Sequence, residues 1–348
     1  MLRGGHPGAD HSVSVASAAA ARPRRASGPP PRYHAGLVER PPRSPALSAV
    51  VETRALTKDY GGGVGLLGLD LSVEAGEVLG FLGPNGAGKT TTIRLLLDLI
   101  RPTSGEARLF GQPVGDPSVR RRVGYLPGEL ALDERLDGRR MLAFLDALRP
   151  PGAAPADPRR RDELCERLLL TDRDLDRQIR DDSRGTKQKI GLVAAFQHDP
   201  DLLVLDEPTE GLDPLVRDAA LELMREAGAA GRTVFHSSHV LDEVDRTCTR
   251  VAIVRAGRLV AVEQMDALRA SLARRMIVRL GEAPPADLDP GLPGVRVLEV
   301  SERTVVFEVS GELSPLLGWL AERHVEHLAF PEPDLEDAFR HHYDGAAP

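Results

Sequence analysis

Val78-Leu79-Gly80-Phe81-Leu82-Gly83-Pro84-Asn85-Gly86-Ala87-Gly88-Lys89-Thr90-Thr91 is the stretch that decides the fold. Its first five residues are apolar and fit a strand buried on both faces. A glycine-rich turn follows, and Lys89 opens a stretch whose periodicity predicts a helix running towards Ile100. Strand, loop and helix in that order are the context that the P-loop pattern requires. The glycines let the backbone turn so that successive N–H groups converge on phosphate oxygens. The helix start adds a favourable dipole. Gly83, Pro84, Asn85, Gly86, Ala87 and Gly88 form the cradle. Lys89 then places a point charge at the β and γ phosphates, Thr90 is a ligand for Mg²⁺, and Thr91 can donate to the α phosphate.

A second signal stands downstream. Leu202-Leu203-Val204-Leu205-Asp206-Glu207 is an apolar run that ends in two carboxylates. Alone, such a run is a strand meeting a loop. In a chain with a P-loop it gains a specific meaning. Asp206 is placed to hold a Mg²⁺-bound water, and Glu207 to polarise the water that attacks the γ phosphorus of ATP. Thr233 to His236 and Val251 to Val254 are further strand-like runs, with helical patterns between them. The alternation predicts an α/β domain over residues 50–270 with a largely parallel core sheet. Residues from about 130 to 190 are helical in pattern and form an inserted helical subdomain, interrupted by a Pro/Gly/Ala loop from Pro150 to Pro158. From Met276 the pattern changes to strands at Met276 to Leu280, Val295 to Val300 and Thr304 to Val309, then a helix and a short strand. Residues 276–345 thus read as a small C-terminal α+β appendage. Residues 1–49 are rich in Ala, Pro, Arg and Ser without apolar periodicity, and read as a disordered, dispensable extension.

Composition narrows the class. The formal net charge is −7, which argues against a general nucleic-acid binder, since such a protein needs a basic face. Only Cys165 and Cys248 are present, and neither has a Cys or His at metal-ligand spacing, so free thiols in a reducing compartment are expected. No run of about 18 apolar residues occurs, so no membrane-spanning helix is predicted.

Four further elements make the chain resemble the nucleotide-binding domains of ABC transporters, over roughly residues 50 to 265 and in the family's order. Tyr60, in Leu56-Thr57-Lys58-Asp59-Tyr60, matches the aromatic that stacks on adenine. Asp182-Ser183-Arg184-Gly185-Thr186-Lys187-Gln188 looks like the signature, Gly211-Leu212-Asp213 like the D-loop, and Ser238-His239 like the switch histidine. The resemblance implies a P-loop NTPase fold of the ABC ATPase type, with ATP and Mg²⁺ as cofactors. It also implies that Ser183 and Gly185 serve the nucleotide of an opposite subunit, in a homodimer or paired head-to-tail sandwich. Ser183 by itself is an ordinary helix cap, and its position about twenty residues before Asp206 adds the second meaning. His239 would orient the attacking water on the γ phosphate, whereas His236, inside an apolar strand, reads as scaffold. The expected partner is a separate integral-membrane permease, with no nucleic acid. The expected location is the cytoplasmic face of the cell membrane.

Three positions depart from the family's pattern. In Gly124-Tyr125-Leu126-Pro127-Gly128-Glu129, Gly128 stands where a Gln is usual. A water could replace that oxygen ligand, because Mg²⁺ keeps several waters, with Glu129 taking part of the role. Asp182 and Arg184 stand where Leu and Gly are commonest, and Arg184 is expected to face solvent. The tail Pro331-Glu332-Pro333-Asp334-Leu335-Glu336-Asp337-Ala338-Phe339 looks like the ending of ATPases paired with ABC-2 type permeases, the group of the daunorubicin-resistance exporters. That likeness implies export of a drug, lipid, polysaccharide or peptide. A nucleotide-gated clamp with little hydrolysis, suggested by Gly128, is an alternative. So is an ABC ATPase acting on the ribosome or on DNA, although those usually carry a second nucleotide domain or long coiled coils.

Overall fold

The computed structural model describes residues 49–331 apart from 63, 150–155, 272–273 and 286. All of them fall within the unit Ser44–Pro348. Residues 1–48, most of the Pro150 to Pro158 loop and the tail motif beyond Pro331 lie outside the described residues.

The first half of the chain contains β1 (Ala49–Asp59), β2 (Gly65–Glu74), β3 (Val78–Leu82), α1 (Lys89–Leu96), β4 (Ser104–Leu109), β5 (Gln112–Pro113), α2 (Pro117–Arg120) and β6 (Val123–Leu126). Helices follow: α3 (Gly138–Ala147), α4 (Pro158–Arg167), α5 (Asp172–Leu175) and α6 (Arg184–Phe196). Then come β7 (Leu202–Asp206), α7 (Pro214–Ala229), β8 (Thr233–Ser238), α8 (Leu241–Thr247), β9 (Arg250–Arg255), β10 (Arg258–Gln264) and α9 (Met265–Ser271). The last elements are β11 (Arg274–Leu280), β12 (Val295–Ser301), β13 (Thr304–Val309), α10 (Ser314–Ala321) and β14 (Val325–Ala329).

The central sheet has the order β10-β9-β3-β8-β7-β6. Its inner pairs are all parallel, and only β10 runs antiparallel to β9. This is the α/β arrangement that the alternation of strand and helix predicts. β3, β7 and β8 are buried along their whole length. Successive side chains of a strand point to opposite faces, so the strands feed two cores. Val78, Leu82, Leu203 and Leu205 join the core that contains α6, α7 and α8 residues. Leu79, Phe81, Leu202 and Val204 join the core shared with α1 and the antiparallel sheet β2-β1-β4-β5. Burial on both faces is why these strands appear as unbroken apolar runs.

Two strands are longer than their apolar runs. β7 continues through Asp206 and β8 through Ser238, because ladder partners exist for the polar residues: Asp206 pairs with Ser237, and Ser238 with Leu82. α1 is shorter than its periodicity suggests. It ends at Leu96, and Asp98 turns the chain with φ 58°. The helices between β6 and β7 begin at side-chain caps. Asp137 accepts from Arg140 N, Asp157 from Arg159 N and Ser183 from Thr186 N. Each such cap satisfies an orphan N–H and contributes about 1 kcal/mol.

The C-terminal sheet is wholly antiparallel, in the order β12-β13-β11-β14. Met276, Val278, Phe307 and Val309 on its inner face pack with Leu316 and Leu320 of α10 in a core of their own. Phe307 and Trp319 meet edge to face, with ring centroids 5.9 Å apart.

His236, in the middle of β8, is fully buried. Its Nε2 lies 3.0 Å from Cys248 Sγ and 3.3 Å from Thr247 Oγ1. The twelve-residue spacing hid this contact from the sequence. Both cysteines are free and buried, and burial pushes the Cys248 thiol up to about 12, so it stays protonated. Burial also pushes His236 down to about 4. The unfolded ring takes up a proton near 6.5 and the folded ring does not. Stability is therefore full above about pH 6.5 and is lost as the pH falls towards 4. Urea unfolding of the native chain at pH 5 should show about 2 kcal/mol less stability from this group than at pH 7. His236→Gln should remove that part of the pH dependence, and an unchanged slope in the variant would contradict the assignment.

Candidate functional site

The parallel register sets the site. β3, β6, β7 and β8 all end at one edge of the central sheet, where ligands bind in open α/β folds. Gly83 leaves β3 with its N–H on Ser238 O at 3.3 Å. The loop then winds through Gly86 and Gly88, both at positive φ, into α1. A cleft of about 290 Å³ opens there, lined by Tyr60, Val64, Gly65, the whole run from Pro84 to Thr91, and Glu207. Tyr60 stands at its mouth, 55% exposed, free to cover a flat ligand. Lys58 Nζ lies 5.5 Å from that ring.

Lys89 is buried and held in place. Its Nζ donates to Gly83 O at 2.6 Å and lies 3.1 Å from Glu207 Oε1. The other Glu207 oxygen, Oε2, lies 2.9 Å from Nδ1 of His239, which is exposed. Glu207 therefore stands between the loop lysine and the histidine. Its backbone adopts φ 50°, a left-handed conformation that costs a non-glycine residue of order 1–3 kcal/mol. Three hydrogen bonds maintain it. Glu207 N donates to Ser237 Oγ at 3.0 Å, while Gln188 Nε2 and Glu210 N donate to Glu207 O at 3.2 and 3.1 Å. Gln188 also donates to Pro208 O at 3.0 Å.

Asp206 is 1% exposed. Ser237 Oγ donates to its Oδ1 at 2.6 Å, but its Oδ2 is buried with no hydrogen-bond partner. A buried carboxylate oxygen without a donor calls for a counterpart, and a divalent cation or its water fits that need. Gly128 closes this spot from the other side. A Cβ there would lie 3.1 Å from Asp206 Oδ2, so the glycine lets the β6 loop approach the carboxylate. Glu129 next to it is exposed.

The signature-like stretch lies apart from this cleft. Ser183 is exposed and caps α6, accepting from Thr186 N at 3.1 Å, and neither Ser183 nor Gly185 is among the described residues that line the cleft. Gly185 abuts the D-loop-like turn so tightly that a Cβ would sit 2.9 Å from Gly211 O. Asp213 caps α7 through Val216 N. Arg184 is exposed and pairs with Glu210 at 2.7 Å. Asp182 points inward with both oxygens lacking hydrogen bonds, 3.5 Å from Arg177 Nε, and burial pushes its carboxyl up.

Sequence reasoning did not single out Ser237, Gln188 or Glu243. Ser237 had one visible signal, the polar run His236-Ser237-Ser238-His239 at the end of an apolar strand. Gln188 and Glu243 act through contacts 19 and 34 residues away, which no local pattern carries.

A family model described as ABC transporter matches residues 66–210. The chain is 34% identical over 314 residues to Nod factor export ATP-binding protein I of Cupriavidus pinatubonensis, across 88% of this chain and 95% of that protein. It is 40% identical over 236 residues to the daunorubicin/doxorubicin resistance ATP-binding protein DrrA of Streptomyces peucetius, across 67% of this chain and 71% of that one. Among solved structures, an ATP-binding subunit of an ABC transporter aligns with a TM-score of 0.57 at 31% identity, across 63% of this chain and 92% of the other.

Ser237→Ala removes the donor to Asp206 and the acceptor for Glu207 N at once. The variant should lose about 1–3 kcal/mol of unfolding free energy in urea. A wild-type midpoint would mean that Ser237 holds neither group.

Proposed function

The chain belongs to the ABC transporter ATP-binding proteins, and from that premise we propose that it energises a separate ABC-2 type permease for export, hydrolysing ATP at Glu207 within a head-to-tail dimer. It is an ATPase and the ATP-binding subunit of a transporter. The relatives' names, drug resistance in one and Nod factor export in another, support export of a drug, lipid, polysaccharide or similar substrate. No helix among the described residues is long and apolar enough to cross a membrane; the relatives' names as export and resistance ATP-binding proteins support attachment at the cytoplasmic face through the permease.

The observation that carries the hydrolytic assignment is Glu207 between Lys89 and His239. ATP phosphates in the cleft would meet the backbone N–H groups from Asn85 to Thr91 and compete for Lys89 Nζ. Drawing Lys89 onto phosphate frees Glu207 Oε1 to accept a proton from the attacking water. His239, paired with Glu207 Oε2, would orient that water and reach the γ phosphate. Tyr60 would stack on adenine. Mg²⁺ would be held by the Thr90 hydroxyl and the unpartnered Asp206 Oδ2, hard oxygen ligands of the kind it prefers, and would offset the phosphate charge. Glu129 would take up part of the role of the oxygen ligand that Gly128 lacks.

Ser183 and Gly185 lie outside the cleft of their own chain, which supports their serving the nucleotide of a second copy. ATP would then close two chains onto each other, and hydrolysis would release them. The helices between Gly138 and Phe196 would carry the permease contact. Phe144 and Leu148, exposed and four residues apart in and just after α3, support that face.

Mg²⁺-dependent turnover by the purified chain should fall at least about a hundredfold in both Lys89→Ala and Glu207→Gln. Lys89→Ala should also lose ATP affinity. Glu207→Gln should keep it and run as a dimer on size exclusion only when ATP is present. Wild-type turnover in Glu207→Gln, or a monomer with ATP bound, would overturn the reading.

A further inference from the structure

Glu243, in the first turn of α8, is a charged residue only 4% exposed. Charged side chains are seldom buried unless they are paired. An apolar residue would fill this place in the core without the cost of desolvating a carboxylate. Its contacts explain its presence. Oε2 accepts from Thr209 Oγ1 at 2.8 Å and from Ser238 Oγ at 3.1 Å. Oε1 lies 3.8 Å from Arg217 Nε on α7.

The two hydroxyls belong to the two segments that flank the reacting groups. Thr209 is two residues after Glu207, in the turn that leads to Asp213. Ser238 is the last residue of β8 and precedes His239. Thr209 is buried, and the two residues before it in the chain, Glu207 and Pro208, are held by α6 through the bonds from Gln188 to their carbonyl oxygens. The turn is thus held by α6 on one side and by Glu243 on the other. His239 itself is exposed, and among the described residues its side chain has one hydrogen bond, to Glu207. Its aim depends on how the end of β8 is anchored.

We propose that Glu243 is a positioning residue for hydrolysis, clamping Thr209 to Ser238 and thereby fixing His239 against Glu207. A shift of the turn that carries Thr209 is then felt at His239. The proposal rests on the roles assigned to Glu207 and His239. No bond is made or broken at Glu243.

The test uses the full chain and ATP with Mg²⁺. Glu243→Ala should lower kcat about tenfold or more, while KM for ATP and affinity for a fluorescent ATP analogue stay within about twofold, because misplacing a reacting group costs rate and not binding. Glu243→Gln keeps an acceptor for both hydroxyls and should recover kcat to within about threefold of wild type. Thr209→Val, which removes one donor at nearly constant shape, should lower kcat several-fold. Combined with Glu243→Ala it should add nothing, because the two act as one unit. Wild-type kcat in Glu243→Ala would overturn the proposal. So would a loss of kcat that comes with lost nucleotide affinity and is not restored by Gln. Absence of Mg²⁺-dependent turnover in the unmodified chain would instead overturn the hydrolytic reading, and the clamp with it. Turnover that Glu207→Gln abolishes and Glu243→Ala leaves intact would sink the clamp alone.

Discussion

Backbone bonds between β3 and β8 set Leu82 beside Ser238, and those between β7 and β8 set Asp206 beside Ser237. β6 joins the same ladder with Leu126 beside Leu205. A parallel ladder fixes where every strand ends relative to its neighbours, and here four ends meet at one edge. The glycine-rich loop leaves one strand, the two carboxylates end another, His239 follows a third, and Gly128 follows the fourth. A register slip of one residue in any of them would turn its side chains to the opposite face and separate groups that now lie about 3 Å apart.

Around that edge the interior is polar, which is costly unless each group is satisfied. Most are. Ser237 serves both Asp206 and Glu207, Gln188 serves two carbonyls, and Glu243 serves two hydroxyls. Asp206 Oδ2 is an exception among the described residues, and it is the oxygen that faces the place proposed for a cation. Glu207 adds backbone strain to the same spot. Strain and an unmet carboxylate at one position are what a site organised in advance for a charged ligand requires, since the cost is met by the surrounding fold and not at the moment of binding.

The departures from the family's usual residues have local physical consequences. Gly128 permits a backbone approach that any Cβ would crowd. Arg184 turns outward to Glu210 and adds no charge to its own cleft. Asp182 is different, because its carboxylate is buried next to the Ser183 cap with only a long contact to Arg177. Burial disfavours its charged form.

The sequence alone determined the elements whose signal is local. Val78 to Thr91 carries strand, loop and helix in contiguous residues, and the apolar run to Asp206 carries the carboxylates beside them, so the α/β class and the glycine-rich turn from strand to helix were legible without coordinates. The helix cap at Ser183 was equally local. Strand ends were not, because Asp206, Ser237 and Ser238 look like loop residues until a neighbouring strand supplies their partners. Only the tertiary structure decided that Lys89 and His239, 150 positions apart in sequence, share the two oxygens of Glu207, that Cys248 meets His236, and that Glu243 joins Thr209 to Ser238. The reason is physical. Propensity and periodicity act over a few residues of chain, whereas a buried hydrogen bond depends on which strands the two cores force to lie side by side.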